Sequence, residues 1–135
     1  MSKTLTFISG NSIEESEFWN EIISLGGDKQ QIGETYFQGI VSRGESAVWL
    51  FYRGNDRSNF DENELTILLE EYSLVPKTSF SIDISNGIGS EQLAFNISKY
   101  FLERYKESVV DDSFGTYFNY EEIEKVQCKD DGSWI

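Results

Sequence analysis

Carboxylates are the side chains in this sequence that could do chemistry, because the chain contains no histidine and only one cysteine, Cys128. Without histidine there is no imidazole general base and no Ser-His-Asp or Cys-His unit, and one cysteine cannot build a zinc cage. Pairs of carboxylates remain, as a glycosidase or a hard-metal site would use them. Asp83, Asp111 and Asp112 are the best candidates, because they lie near the ends of predicted strands.

The acidic composition alone also explains these carboxylates. The chain has 24 Asp and Glu among 135 residues, so adjacent pairs such as Glu70-Glu71 and Glu121-Glu122 arise without any catalytic role. We therefore predict no catalytic residue and no metal site. A carboxylate-based hydrolase that uses Asp83, Asp111 and Asp112 is the alternative.

The segment Gly87-Ile88-Gly89-Ser90 follows a predicted strand and precedes a predicted helix, where exposed amides can hold a phosphate. The third glycine of a dinucleotide fingerprint is missing, because position 92 is Gln, and there is no Gly-Lys-Ser/Thr of a P-loop. A tight turn, with Ser90 as the helix N-cap, explains the segment without a ligand. We expect no cofactor.

The formal net charge of −13 indicates the kind of partner. Such a charge repels phosphate backbones and anionic membranes, so neither nucleic acid nor a membrane is expected as a ligand. A basic protein, such as a nuclease, is attracted by it. One cysteine allows no intramolecular disulfide, and the first residues lack the apolar run of a signal peptide, so a cytoplasmic location is expected. The pattern favours no particular oligomeric state.

The stretch from Lys77 to Asp112 carries the clearest structural pattern. Residues 78–85 alternate between apolar and polar side chains, as a half-buried strand does. A glycine-containing turn and a helix from Glu91 follow, and Val109-Val110 then predicts a short strand that ends at Asp111-Asp112.

The other elements give a β-α-β-β-α order before this stretch, and a strand and a helix after it. They are predicted as a strand at 5–8, a helix at 12–25 with Ser12 and Glu15 in a capping box, hairpin strands at 35–41 and 47–52, a helix capped by Asp61, an edge strand at 115–119, a helix at 120–127 and a frayed tail at 129–135. The order predicts one α+β domain over residues 1–135. We expect an antiparallel, ferredoxin-like sheet with the helices packed mainly on one face.

Aromatic residues are concentrated in the predicted hairpin. Because neighbours in a strand point to opposite faces, Trp49, Phe51 and Arg53 share the face away from the core. Burial of both faces is one interpretation. The other is an exposed aromatic patch with Arg53 at its rim, which is the composition of an interface hot spot.

Several segments together are similar to a known class of protein. They are Pro76 to Ser85, Gly89-Ser90-Glu91-Gln92-Leu93-Ala94, Val109-Val110-Asp111-Asp112 with Gly115 and Tyr117 behind it, the strand Ala47 to Leu50 and the acidic helix Leu65 to Glu71. In pattern and order they resemble immunity proteins of bacterial polymorphic-toxin and contact-dependent growth inhibition systems, over roughly residues 46 to 124. The resemblance implies a small cytosolic protein that binds a cognate toxin domain, often a nuclease, and blocks its active site.

Charge, composition and resemblance together predict a non-enzymatic protein that binds a basic toxin domain. An acidic adaptor or regulatory subunit for another basic protein shares every one of these features and remains a further alternative. If the first three helices all pack on one side of the sheet, the other side is the larger available surface. The predicted toxin-binding residues on or beside that side are Tyr36, Gln38, Trp49, Phe51, Arg53, Ser81, Asp83, Asp111 and Asp112.

Overall fold

The structure, a computed structural model, describes residues 3–55 and 60–126. Its elements are β1 (Lys3–Ser9), α1 (Glu15–Ser24), β2 (Asp28–Gln31), β3 (Phe37–Arg43), β4 (Ser46–Gly54), α2 (Glu62–Tyr72), β5 (Thr78–Ile84), α3 (Ser90–Arg104), β6 (Ser108–Asp111), β7 (Tyr117–Phe118) and α4 (Tyr120–Lys125). The frayed tail predicted for residues 129–135 lies outside the described residues. None of the helices described here is long and apolar enough to cross a membrane.

The described strands form one antiparallel sheet in the order β2-β3-β4-β5-β1-β6-β7. Helix α3 connects β5 to β6, which lie on either side of β1, and this split β-α-β arrangement is typical of ferredoxin-like sheets. The predicted α+β domain with an antiparallel sheet is therefore confirmed. The sequence pattern does not predict β2, because its four residues are all exposed and none of them is apolar.

Three helices cover one face of the sheet, which we call the core face. The rings of Phe7, Phe80 and Phe101 meet there, with centroid distances of 4.6 Å between Phe7 and Phe80 and 4.8 Å between Phe80 and Phe101. Helix α1 lies close above β3, because Gly39 has no Cβ that would clash with Ile22. Helices α3 and α4 complete this core with their own buried apolar residues.

Helix α2 packs on the opposite face, which we call the second face. Leu68 and Leu74 form a separate small core with Ile8 of β1 and Val109 of β6. The expectation that the first three helices share one side is therefore wrong for α2, although the helices do lie mainly on one face. The sequence carries a signal for this cover: Ile8 follows the apolar Phe7, so β1 is buried on both faces at that point.

Two helices begin differently from the predicted way. Helix α1 starts at Glu15 without a side-chain cap, so the predicted capping box of Ser12 is wrong. Gly89, with a φ of 86°, is the N-cap of α3 in place of Ser90. The Ser90 hydroxyl instead accepts a hydrogen bond of 3.0 Å from the amide of Ala47, which ties the start of α3 to β4.

Candidate functional site

A row of side chains crosses five strands on the second face, and we call it the Trp49 row. In order from β1 to β2, the strand register places side by side Thr4, Asp83, Trp49, Ile40 and Asp28. Trp49 and Ile40 are partly exposed, so the row has an apolar centre with a carboxylate on each side. Thr4 Oγ1 donates a hydrogen bond of 3.0 Å to Asp83 Oδ1, which orients that carboxylate.

A second row lies next to the first, and we call it the Phe51 row. From β7 to β4 its members are Tyr117, Asp111, Thr6, Ser81 and Phe51. Its two aromatic residues and Asp111 are partly exposed, whereas Ser81 is buried. The Ser81 hydroxyl accepts a hydrogen bond of 2.7 Å from Arg53 Nε. The two rows together form a continuous surface of aromatic and acidic groups.

A β-bulge in β4 positions Arg53 at this surface. Tyr52 pairs with Phe80 while Gly54 pairs with Ser79, so Arg53 is an extra residue in the strand. Bulges bend a strand and redirect a side chain, and they occur often near functional sites. The only local sequence signal is Gly54, whose φ of 65° favours glycine.

The second face brings together most of the predicted toxin-binding residues. They are Gln38, Trp49, Phe51, Arg53, Ser81, Asp83 and Asp111. Gln38 lies two residues from Ile40 and thus on the same face, where its amide donates a hydrogen bond of 2.9 Å to Gln30. Tyr36 precedes β3 in the loop after β2, with 73% of its surface exposed, and lies outside both rows.

Asp112 does not contribute to this surface. Its side chain is only 6% exposed. Its Oδ1 atom accepts hydrogen bonds of 2.8 Å from the amide of Phe114 and 3.1 Å from the amide of Thr116. The carboxylate therefore closes the turn between β6 and β7, and we leave Asp112 out of the candidate surface.

The three carboxylates of the hydrolase alternative do not converge. Asp83 pairs with Thr4 and Asp111 pairs with Thr6, on opposite sides of β1. Strand spacing and rise then put the Cα atoms of Asp83 and Asp111 about 12 Å apart. Asp111 lines a small cavity that neither Asp83 nor Asp112 lines, so the three carboxylates do not share one cleft. Across the two described ranges, no three acidic, histidine or cysteine side chains are placed to hold a metal ion.

Two tyrosines at the β7 end of the Phe51 row lie among carboxylates. The Tyr72 hydroxyl of α2 donates a hydrogen bond of 3.1 Å to the Tyr117 carbonyl, and the two rings are 6.1 Å apart. Burial, followed by the charge of Glu122, raises the pKa of Tyr72 to about 12. Burial and Asp111 likewise raise the pKa of Tyr117 to about 12. Burial is the larger cause of the raised pKa in both tyrosines, and the nearby carboxylates add to it.

The carboxylates of the two rows form no ion pair with any residue that the structure describes. Within the described part of the chain, Lys3 pairs with Glu91 and Arg104 pairs with Glu21. Neither pair includes Asp28, Asp83 or Asp111, so the negative charge of the second face is available to a partner.

Thr4, Asp28 and Ile40 are surface residues that the sequence reasoning misses. Asp28 is missed because β2 is not predicted, and Ile40 because only the pairing of β3 with β4 places it beside Trp49. The alternation of Thr4 and Thr6 with Leu5 and Phe7 is a signal that could identify the threonines as second-face residues.

Comparison of the chain with protein-family models, with curated proteins and with solved structures finds no match. The resemblance to immunity proteins therefore stays a prediction. The functional proposal depends on the geometry and the charge of the second face.

Proposed function

We propose that this chain is a cytoplasmic immunity protein that binds a basic toxin domain through the second face of its sheet and blocks the toxin's active site. The observation that carries this proposal is the Trp49 row. A partly exposed tryptophan lies beside Ile40, between the carboxylates of Asp83 and Asp28, and neither carboxylate forms an ion pair with another described residue.

This arrangement matches the anatomy of a protein interface. Tryptophan is enriched among hot-spot residues, which lie near the centre of an interface and cost about 2 kcal/mol or more when truncated. Carboxylates around such a centre attract Lys and Arg of a partner and fix its orientation. A protein of net charge −13 adds long-range attraction to a basic partner.

The test uses the toxin domain that this function requires. In toxin–immunity systems the two genes are neighbours, so the proposal predicts an adjacent upstream gene for a large secreted protein with a variable C-terminal domain, and that domain is the partner to express. Affinities of wild type, Trp49→Ala and Asp83→Ala for that domain are measured by calorimetry, together with thermal melts of each variant. Ile23→Ala is the matched control, because Ile23 is 61% exposed on α1, across the sheet from Trp49.

We expect Trp49→Ala to weaken binding by about 30-fold, which corresponds to about 2 kcal/mol. Asp83→Ala should also weaken binding, and Ile23→Ala should leave it unchanged. Wild type should restore the growth of cells that express the toxin domain, and Trp49→Ala should restore it less well.

Three results would contradict the proposal in different ways. Toxin neutralisation would be excluded if the toxin domain formed no complex with this chain, or if a complex formed but did not restore cell growth. Weaker binding by Ile23→Ala alone would place the interface on the α1 side. A collapsed melting temperature of Trp49→Ala with normal binding by Asp83→Ala would show that Trp49 is a packing residue.

A further inference from the structure

A small cavity opens on the second face beside the Phe51 row. Its volume is about 230 Å³, and its lining residues are Thr6, Arg53, Phe60, Glu64, Ser79 and Asp111. Pockets that hold small-molecule ligands usually measure about 300 to 1,000 Å³. This cavity is therefore of a size for one side chain of a partner rather than for a cofactor.

Ser79 is the first sign that the cavity receives a hydrogen-bonding group. Its side chain is 1% exposed, and its Oγ atom has no hydrogen-bond partner among residues 3–55 and 60–126. Ser81, the next residue on the same face of β5, has Arg53 as its partner. Buried hydroxyl groups in proteins are nearly always paired, so an unpaired one that lines a polar cavity points to a ligand that completes the bond.

Asp111 supplies a charge to the same cavity. Its Oδ1 atom accepts a hydrogen bond of 2.8 Å from the amide of Ser113, and no lysine or arginine in the described part of the chain forms an ion pair with it. Burial raises the pKa of Asp111, and the charge of Asp112 adds to the rise. A partly buried carboxylate that forms no ion pair is stabilised when a cation binds to it.

The balance of charge in the cavity favours a cation. Asp111 and Glu64 contribute two carboxylates against the single guanidinium of Arg53, whose Nε is already bonded to Ser81. The hydroxyl groups of Ser79 and Thr6 offer further oxygen acceptors. Several acceptors around one cavity suit a guanidinium, which carries five N–H donors in a plane, better than an ammonium.

We propose that this cavity binds the guanidinium group of an arginine side chain from the basic partner. The inference rests on the proposed function only for the source of that arginine. Recognition of the guanidinium itself is a property of this chain and is measurable without the partner.

The experiment titrates the full chain with N-acetyl-L-arginine amide and follows backbone amide resonances by NMR. We expect saturable shifts at Thr6, Ser79 and Asp111, and at least fivefold weaker binding in Asp111→Asn. Glu70→Gln is the matched control, because it removes an exposed carboxylate of α2 that lies outside the cavity and outside both rows, and its affinity should equal that of wild type. N-acetyl-L-lysine amide should bind more weakly than the arginine probe.

Thermal melts separate a binding role from a structural one. Asp111→Asn removes a desolvated charge and retains an oxygen for the Ser113 amide, so its melting temperature should equal or exceed that of wild type while its affinity falls. Ser79→Ala should behave in the same way, because it removes an unpaired buried hydroxyl.

The absence of saturable shifts, or equal shifts in wild type and Asp111→Asn, would overturn the inference. Equal affinity for the lysine and arginine probes would overturn the preference for guanidinium. Neither result would affect toxin binding through Trp49. The experiment therefore distinguishes a wrong assignment of the guanidinium site from a wrong proposed function. If the chain binds the arginine probe but not the toxin domain, the guanidinium site is supported and the toxin is excluded as the source of the arginine.

Discussion

Replacing Asp112 by alanine is expected to destabilise the fold while leaving the binding surface in place. The carboxylate accepts hydrogen bonds from the amides of Phe114 and Thr116 and is 6% exposed. A hydrogen bond to a charged group contributes about 1.5 to 3 kcal/mol. Because Phe114 and Thr116 are exposed, their released amides regain water, and we expect a total loss of about 2 to 3 kcal/mol, less than the full value of two such bonds.

The assay is urea unfolding followed by tryptophan fluorescence, together with a thermal melt. For a domain of this size about 1 kcal/mol shifts the melting temperature by about 4 °C, so Asp112→Ala should melt about 8 to 12 °C below wild type. Asp112→Asn is the matched control, because it retains an oxygen acceptor and loses only the charge. We expect it to lose roughly 1 kcal/mol.

Hydrogen exchange tests the same reasoning at single residues. The amides of Phe114 and Thr116 should exchange faster in Asp112→Ala and stay protected in Asp112→Asn. An unfolding free energy of Asp112→Ala within about 0.5 kcal/mol of wild type, the range of ordinary surface substitutions, would refute the role of Asp112 in the turn.

Two further predictions concern pH and salt. The pKa values of Tyr72 and Tyr117 are raised from 10.0 to about 12 in the folded protein, so their contribution to stability is complete below about pH 10 and is lost as the pH rises towards 12. Urea unfolding of wild type between pH 9 and pH 11.5 should show this loss of stability, and Tyr72→Phe should lose less. An equal loss in wild type and Tyr72→Phe would show that ionisation of Tyr72 does not contribute to it. The association rate with the proposed toxin domain should fall as salt rises, from about 10⁸ to 10⁹ M⁻¹s⁻¹ at low salt, and a flat rate in stopped-flow measurements would show that net charge does not steer the encounter.

The sequence predicts elements well where local pattern and tertiary structure agree. The alternation over residues 78–85 predicts β5, and the structure has β5 at Thr78–Ile84. The predicted N-cap of α2 is also confirmed, because Asp61 and Glu64 form a capping box. Strand β2 has no such pattern, since its polar residues become a strand only by pairing with β3. The side of the sheet on which α2 packs is likewise set by contacts that are distant in sequence, those of Leu68 with the small core.

For the candidate site, alternation predicts the face but not the register. It places Trp49 and Phe51 on one side of β4, and the structure agrees. That Asp83 lies directly beside Trp49 depends on how β4 and β5 align, and no local pattern encodes this alignment. The different roles of Asp111 and Asp112 also have no local pattern. The turn after β6 brings the amides of Phe114 and Thr116 to the Asp112 carboxylate, and the sequence does not show that path.

Alternation along the central strands has a consequence for how such a protein can evolve. Trp49 lies between Val48 and Leu50, neither of which has any exposed surface, and Asp83 lies in the same way between two buried isoleucines. A substitution at Trp49 or Asp83 therefore changes the chemistry offered to a partner, while its sequence neighbours continue to hold the core. Paralogues of this chain could diverge at alternate strand positions and acquire new partners while the buried residues between those positions keep the fold.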